Sequence, residues 1–168
     1  MSTEPAVENL LAGRYVAVVG PADTARRADL DRATEAGRLL ASAGAVVLTG
    51  GHHGVMRAAA AGVASAGGVS IGLLPGLDRD EGAPEHTYLL PTGLGELRNG
   101  LLVRAADAVL AVGCSWGTLS EIALARRTGV PLVLLDPWDL PEDVGVVAAS
   151  APAAVEALAG LLGRQGRD

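Results

Sequence analysis

Short apolar runs that end in turn residues recur from one end of this chain to the other, and a stretch with helical spacing follows almost every one. The runs fall at 15–19, 45–49, 69–74, 87–90, 108–112 and 131–135, with a weaker one at 146–148. They are too short for amphipathic helices and rich in Val and Leu, as suits strands buried on both faces. Asp23 or Thr24 can cap a first helix running to Ala43, with Ala33, Ala36, Leu40 and Ala43 on one face and Gly44 as its stop. Further helices are predicted from about Gly54 to Gly67, from Leu94 to Ala105, and from Gly117 to Thr128, the last closed by Gly129. A final helix carries Pro152 in its first turn and then Val155, Leu158, Ala159 and Leu162 at i, i+3, i+4 and i+7. Alternation of this kind builds parallel crossovers. The predicted fold is a single Rossmann-like, doubly wound α/β domain, with a mostly parallel sheet of about six or seven strands and helices on both faces.

Composition narrows the reading. At 168 residues the chain is long enough for one buried core and short for two domains, so the domain is expected over 14–164, with residues 1–13 as a flexible N-terminus. Apolar residues make up 49% and aromatics 2%, with no Phe, so Val, Leu, Ile and Ala must form the core. A net charge of −6 argues against nucleic acid as partner, because that mode of binding needs a basic face. The chain contains no lysine: all 13 basic side chains are arginine. That excludes a pyridoxal-phosphate Schiff base and a Walker A loop. A lone Cys114 cannot form an internal disulfide and suits a reducing compartment. The N-terminal residues lack a secretory pattern, and no apolar run reaches the ~18–20 residues of a membrane span. A cytoplasmic location, with no membrane partner, is the expectation.

Three segments follow strand ends, where open α/β sheets bind ligands. The first is Gly20, Pro21 and Ala22. The second reads Thr49, Gly50, Gly51, His52, His53, Gly54, Val55, Met56, and its bare backbone leads into a helix N-terminus, an anion site by construction. The third reads Gly113, Cys114, Ser115, Trp116, Gly117, Thr118, with Glu121 one turn further on. Each of these also reads as a tight strand-to-helix turn, and Glu121 as ordinary helix electrostatics. Between them, Arg98 and Asn99 open a helix, and the Arg98 fork matches a phosphate if it is not simply solvated. The ligand-binding candidates are therefore Gly20, Gly50, Gly51, Gly54, Val55, Met56, Arg98, Asn99, Gly113, Ser115, Gly117, Thr118 and Glu121. Arg98 and Glu121 are the catalytic candidates if the protein is an enzyme. His52 and His53 diverge, His86 is the only other imidazole, and no metal site is expected. Cys114 precedes a helix N-terminus, which can lower a thiol pKa, and Trp116 can stack on a flat ligand or wall the loop. The acidic segment 75–86 reads as a surface loop or as a lid.

These residues resemble the Lonely Guy and molybdenum cofactor carrier superfamily. Gly50, Gly51, Gly54, Val55, Met56, Arg57, Ala58 and Ala59, followed by Gly67, Gly68 and the run from Ile71 to Pro75, look like its first signature. Pro91, Thr92, Gly93, Arg98, Asn99, then Ala106, Asp107, Ala108, then the run from Gly117 to Ala123 look like the rest. The resemblance spans about residues 20 to 135 and is closest to the carrier-like branch, some of whose members are mislabelled lysine decarboxylases. It implies binding of a phosphate-bearing small molecule, molybdenum cofactor as cargo or a nucleotide, with no cofactor required for chemistry. It also implies a homodimer or homotetramer, for which the Ala- and Gly-rich helices offer closely packing faces. The alternative it implies is a phosphoribohydrolase that cleaves the N-glycosidic bond of nucleoside 5′-monophosphates. Arg98 and Glu121 match that enzyme pattern. Asn99 stands where the pattern has lysine, and Val112, Gly113 and Cys114 replace its Pro-Gly-Gly.

Overall fold

The computed structural model describes residues 9–165. Its elements run β1 (Tyr15–Val19), α1 (Arg27–Ser42), β2 (Val46–Thr49), α2 (Val55–Ser65), β3 (Val69–Leu74), β4 (Tyr88–Pro91), α3 (Arg98–Ala105), β5 (Ala108–Val112), α4 (Trp116–Thr128), β6 (Leu132–Leu135), β7 (Val146–Ala148) and α5 (Ala151–Gln165). The strands form one parallel sheet ordered β4-β3-β2-β1-β5-β6-β7. The chain winds outward from β1 through β4, returns to β1's other side as β5, and winds outward again. Neighbouring loops after β1 and β5 therefore leave in opposite directions and open a crevice at the strands' C-terminal ends.

Alternate residues of each strand feed two apolar layers. Val16, Val18, Val47, Leu110, Val112, Val133 and Leu135 face α1, α2 and α5. Ala17, Val19, Leu48, Val109, Ala111, Leu132 and Leu134 face α3 and α4, meeting Leu102, Val103, Ile122 and Ala125. Fully burying a Leu such as Leu110 contributes roughly 1.5–3 kcal/mol, so the two layers fix which loops share the crevice.

Several boundaries differ from expectation by one to four residues. The first helix starts at Arg27 and not at Asp23, because the Asp29 carboxylate accepts the Arg26 backbone N–H (3.0 Å) and so holds the turn there. Asp23 instead pairs with His53 Nε2 at 2.5 Å. The third helix is α-helical only from Arg98, after a 3₁₀ turn over Gly95–Leu97. The fourth strand lies one residue later than predicted, over Tyr88–Pro91. Of the N-terminal residues expected to be flexible, 1–8 lie outside the described residues. Leu11 is fully buried, and its N–H donates to Ala43 O at 2.8 Å. Among the described residues no helix is long and apolar enough to cross a membrane.

Gly37 and Gly62 let α1 and α2 pack backbone to backbone. A Cβ on Gly62 would overlap Thr34 O and lie 2.9 Å from Arg38 N; one on Gly37 would overlap Ala59 O. The small-residue faces expected to meet a second subunit are thus used within the chain by these two helices. Six of the large exposed apolar side chains, Leu77, Tyr88, Leu90, Leu94, Leu97 and Leu101, lie around edge strand β4 and helix α3.

Candidate functional site

The crevice holds a cavity of about 210 Å³ lined by Val19, Gly20, Ala22, Gly50, His52, Met56, Arg98, Asn99, Ser115, Gly117, Thr118 and Glu121. Nine of the proposed ligand-binding residues therefore share one space: Gly20, Gly50, Met56, Arg98, Asn99, Ser115, Gly117, Thr118 and Glu121. The other four are not among its lining residues and serve the turns that shape it. Val55 is fully buried in the core. Gly51 packs on Leu74, and Gly113 lies against the Asp29 carboxylate. Gly54, at φ 68°, turns the chain into α2, and a Cβ there would lie 2.5 Å from Pro21 O.

Two helix starts face this space. At α4, Ser115 is the N-cap and its Oγ accepts the Thr118 N–H at 3.2 Å, which leaves the Gly117 N–H without an intrahelical acceptor. At α2, the Val55 N–H donates to Pro21 O at 3.0 Å, while the next first-turn amide, on Met56, has no intrahelical acceptor. Both helices direct their positive ends at the cavity.

Arg98 crosses the floor. Its Nη1 donates to Gly50 O at 2.6 Å and to Leu73 O at 2.9 Å, so the guanidinium is anchored between the ends of β2 and β3 and not in bulk water. Glycine at position 50 is what admits it: a Cβ there would overlap Nη1 and sit 2.7 Å from Met56 Sδ. Nε of Arg98 is buried and has no hydrogen-bond partner among the described residues. Burial pushes the Arg98 pKa down, and nearby Glu121 opposes that shift. Glu121 is itself buried, at 8% exposure, and burial raises its carboxyl pKa to about 7 despite the pull of Arg98. The site is therefore a donor-rich cradle with one reluctant carboxyl. Asn99, on the rim, donates from Nδ2 to Ser120 Oγ at 3.2 Å.

Sequence reasoning did not place Val19, Ala22 or His52 in the cavity wall. Val19 precedes Gly20 and Ala22 lies two residues after it, and that nearness was the available signal. Burial, and Arg98 nearby, lower the His52 pKa, so the ring adds a neutral side to the cradle. Cys114 departs from expectation, since burial raises its thiol pKa in place of the helix lowering it. Trp116 does not wall the cradle; it is 79% exposed and meets Trp138 edge to face. The 75–86 segment is tied to the site's rear. The Ala83 N–H donates to Gly51 O at 2.8 Å, and buried His86 accepts from Thr49 Oγ1 at its Nε2 (2.6 Å) while Nδ1–H donates to Ala83 O (2.9 Å). Among the described residues no three His, Cys, Asp or Glu side chains stand together as a metal site.

The model of the SLOG cluster4 family matches residues 13–158, which include both helix starts, Arg98 and Glu121. The chain belongs to the SLOG cluster4 family. Its structure superposes on the molybdenum cofactor binding protein of the phototrophic bacterium Rippkaea orientalis with a TM-score of 0.85 and 34% identity, over 89% of this chain and 97% of that one. The molybdenum cofactor carrier protein of Chlamydomonas reinhardtii gives a TM-score of 0.82 and 33% identity, over 90% and 98%. The SLOG cluster4 chain thus has the molybdenum cofactor carrier-like, Lonely Guy-type fold. An uncharacterised protein of Archaeoglobus fulgidus is 38% identical over 101 residues, which are 60% of this chain and 66% of that relative's length. DNA processing protein A of Helicobacter pylori, at 19% identity and a TM-score of 0.66, shares the fold alone.

Proposed function

We propose that this protein binds a phosphate-bearing small molecule in the crevice cavity and carries it unaltered, with molybdenum cofactor as the leading cargo. The observation that carries the reading is the convergence of two helix N-termini and the anchored Arg98 on one small cavity. Free amides and a guanidinium whose neighbouring carboxyl, Glu121, is reluctant to ionise suit a doubly charged phosphate. The likeness to proteins described as binding or carrying molybdenum cofactor supports the choice of cargo. Calorimetric titration under anaerobic conditions with molybdenum cofactor, and with a panel of nucleotides, tests it. Saturable binding of the cofactor, weakened at least about tenfold in Arg98→Ala, is expected. Heats at the level of dilution for the cofactor and every nucleotide end the proposal.

One observation favours a second reading. A buried carboxyl with a pKa near 7 beside a guanidinium is suited to proton transfer at neutral pH, so Glu121 can serve a phosphoribohydrolase. In that reaction Arg98 holds the phosphate or ribose while water replaces the base at the anomeric carbon, through an oxocarbenium-like state. Free base released from AMP, GMP or a cytokinin monophosphate, and lost in Glu121→Gln, would establish it; no release from any of them removes it.

We also infer a dimer or tetramer. The support is the exposed apolar set around β4 and α3, which includes Leu77 at 86% and Leu97 at 77% exposure. No such set is needed by a monomer.

A further inference from the structure

The phosphate cradle, at about 210 Å³, is smaller than the roughly 300–1,000 Å³ of typical small-molecule sites. A ligand heavier than phosphate and a sugar must extend beyond it. A second cavity of about 460 Å³ lies alongside, lined by Thr24, Arg26, Asp29, Cys114, Ser115, Trp116, Asp136, Pro137 and Trp138. Ser115 lines both. The second cavity stands over the C-terminal ends of β1, β5 and β6, on the far side of the crevice from Arg98.

Its chemistry differs from the cradle's. The chain has 2 Trp residues, and both are here, centroids 5.1 Å apart and 78° between planes. An edge-to-face contact covers at most one face of one ring, and Trp116 keeps 79% of its surface exposed. The polar wall is charge-balanced. Arg26 donates from Nε to Asp29 Oδ2 (3.1 Å), from Nη2 to Asp29 Oδ1 (2.8 Å) and also from Nη2 to Asp136 Oδ2. Arg32 reaches the same Asp136 oxygen at 3.2 Å. With its guanidinium engaged by two carboxylates, Arg26 is poorly placed to take a second phosphate. Among the described residues the bonds to Asp136 all fall on Oδ2 and none on Oδ1, so the wall offers an acceptor to a ligand edge that carries N–H groups.

We propose that this Trp116–Trp138 cavity is the second compartment of the same site, and that it takes a flat nitrogen heteroaromatic ring joined to the phosphate held beside Arg98. The assignment rests on the phosphate-binding reading above and adds the ring half of the ligand. A pterin or purine with an amino-bearing edge fits: its face lies on indole, and its N–H groups point to Asp136.

The test uses neopterin monophosphate and GMP as ring-bearing probes and ribose 5-phosphate as the ring-free control. Both tryptophans lie in this cavity, so quenching by GMP, which absorbs none of their emission, reports a ring against them; neopterin monophosphate accepts tryptophan energy even from the cradle, so its arm is read by calorimetry. The expected result is saturable quenching by GMP, or tighter binding of neopterin monophosphate than of ribose 5-phosphate, and no quenching by ribose 5-phosphate. By calorimetry, Trp116→Ala weakens that ring-bearing probe roughly tenfold and leaves ribose 5-phosphate unchanged, while Trp116→Phe restores most of the loss. If the ring-bearing probes bind no tighter than ribose 5-phosphate, or bind Trp116→Ala as tightly as the parent, the ring compartment is refuted and the phosphate cradle stands. If none of the three binds, the ring compartment is refuted, and the phosphate cradle falls with it when molybdenum cofactor gives no heat either.

Discussion

Glu121 links the site to the stability of the domain. Burial raises its carboxyl pKa to about 7, so the native state retains a proton that the unfolded chain releases from its ordinary value upward. Between those two values the native state binds more protons, and stability therefore falls as pH rises. Its contribution is complete below the unfolded pKa and is lost through about pH 7. Glu121→Gln is expected to remove that slope. Relative to the parent it gains on the order of 3 kcal/mol on going from pH 4 to pH 8, as read by urea midpoints across that range. His86 works in the opposite sense: burial lowers its pKa, so its share of stability is present above the ordinary histidine value and lost as pH falls. Equal pH slopes in parent and Glu121→Gln would show that the carboxyl is solvated. Arg98 shows why residue type matters here. Arg98 spends only Nη1 on Gly50 O and Leu73 O and keeps its Nη2 and Nε donors, whereas a lysine would spend two of the three N–H groups of its single nitrogen there and lose the two-pronged match to a phosphate.

At the scale of elements, two packing contacts position the loops. Helices α1 and α2 lie together through Gly37 and Gly62, and the lie of α2 sets where its N-terminus points. Gly62→Ala forces a methyl against Thr34 O, and a loss of about 3 kcal/mol in chemical denaturation is expected. The second contact is the peg from Thr49 through His86 to Ala83, which joins the 75–86 segment to the end of β2. In His86→Ala the amides of Gly51 and Ala83 are expected to exchange with deuterium at least tenfold faster, while those of β5 are unchanged. Unchanged exchange at Gly51 would show that the peg does not hold the segment.

The whole molecule is organised by its chain reversal at β1, which places the loops after β1, β2 and β5 on one rim and leaves β4 and β7 as edges. The β4 edge carries the exposed leucines, and α3, which holds Arg98, lies beside it. Association through this face would brace the helix that supplies the cradle's guanidinium. Light scattering is expected to give at least twice the chain's 16.8 kDa, and Leu97→Glu to return it to monomer with its circular dichroism intact. A parent mass of one chain at micromolar concentration would remove the inference.

Much of this was written in the sequence. Val- and Leu-rich runs between helical spacings are enough for a parallel sheet, because only strands buried on both faces can afford so few polar positions. Gly50, Gly51 and Gly54 before a helix, and Ser115 before another, mark helix starts by local backbone chemistry. Local chemistry does not carry distance. That Arg98 reaches Gly50 O, 48 residues earlier, and that Glu121 is buried beside it, depend on the strand order. So does the use of the Ala and Gly faces of α1 and α2 on each other in place of a partner. Trp116 opens α4 just after β5 and Trp138 lies in the loop after β6, and they meet only because those strands are neighbours. Sequence alone determined which segments become strands, helices and tight turns, since those choices are made over a few residues. Tertiary structure decided which turns share a cavity and which charges lose their water, since both depend on contacts between segments far apart in the chain.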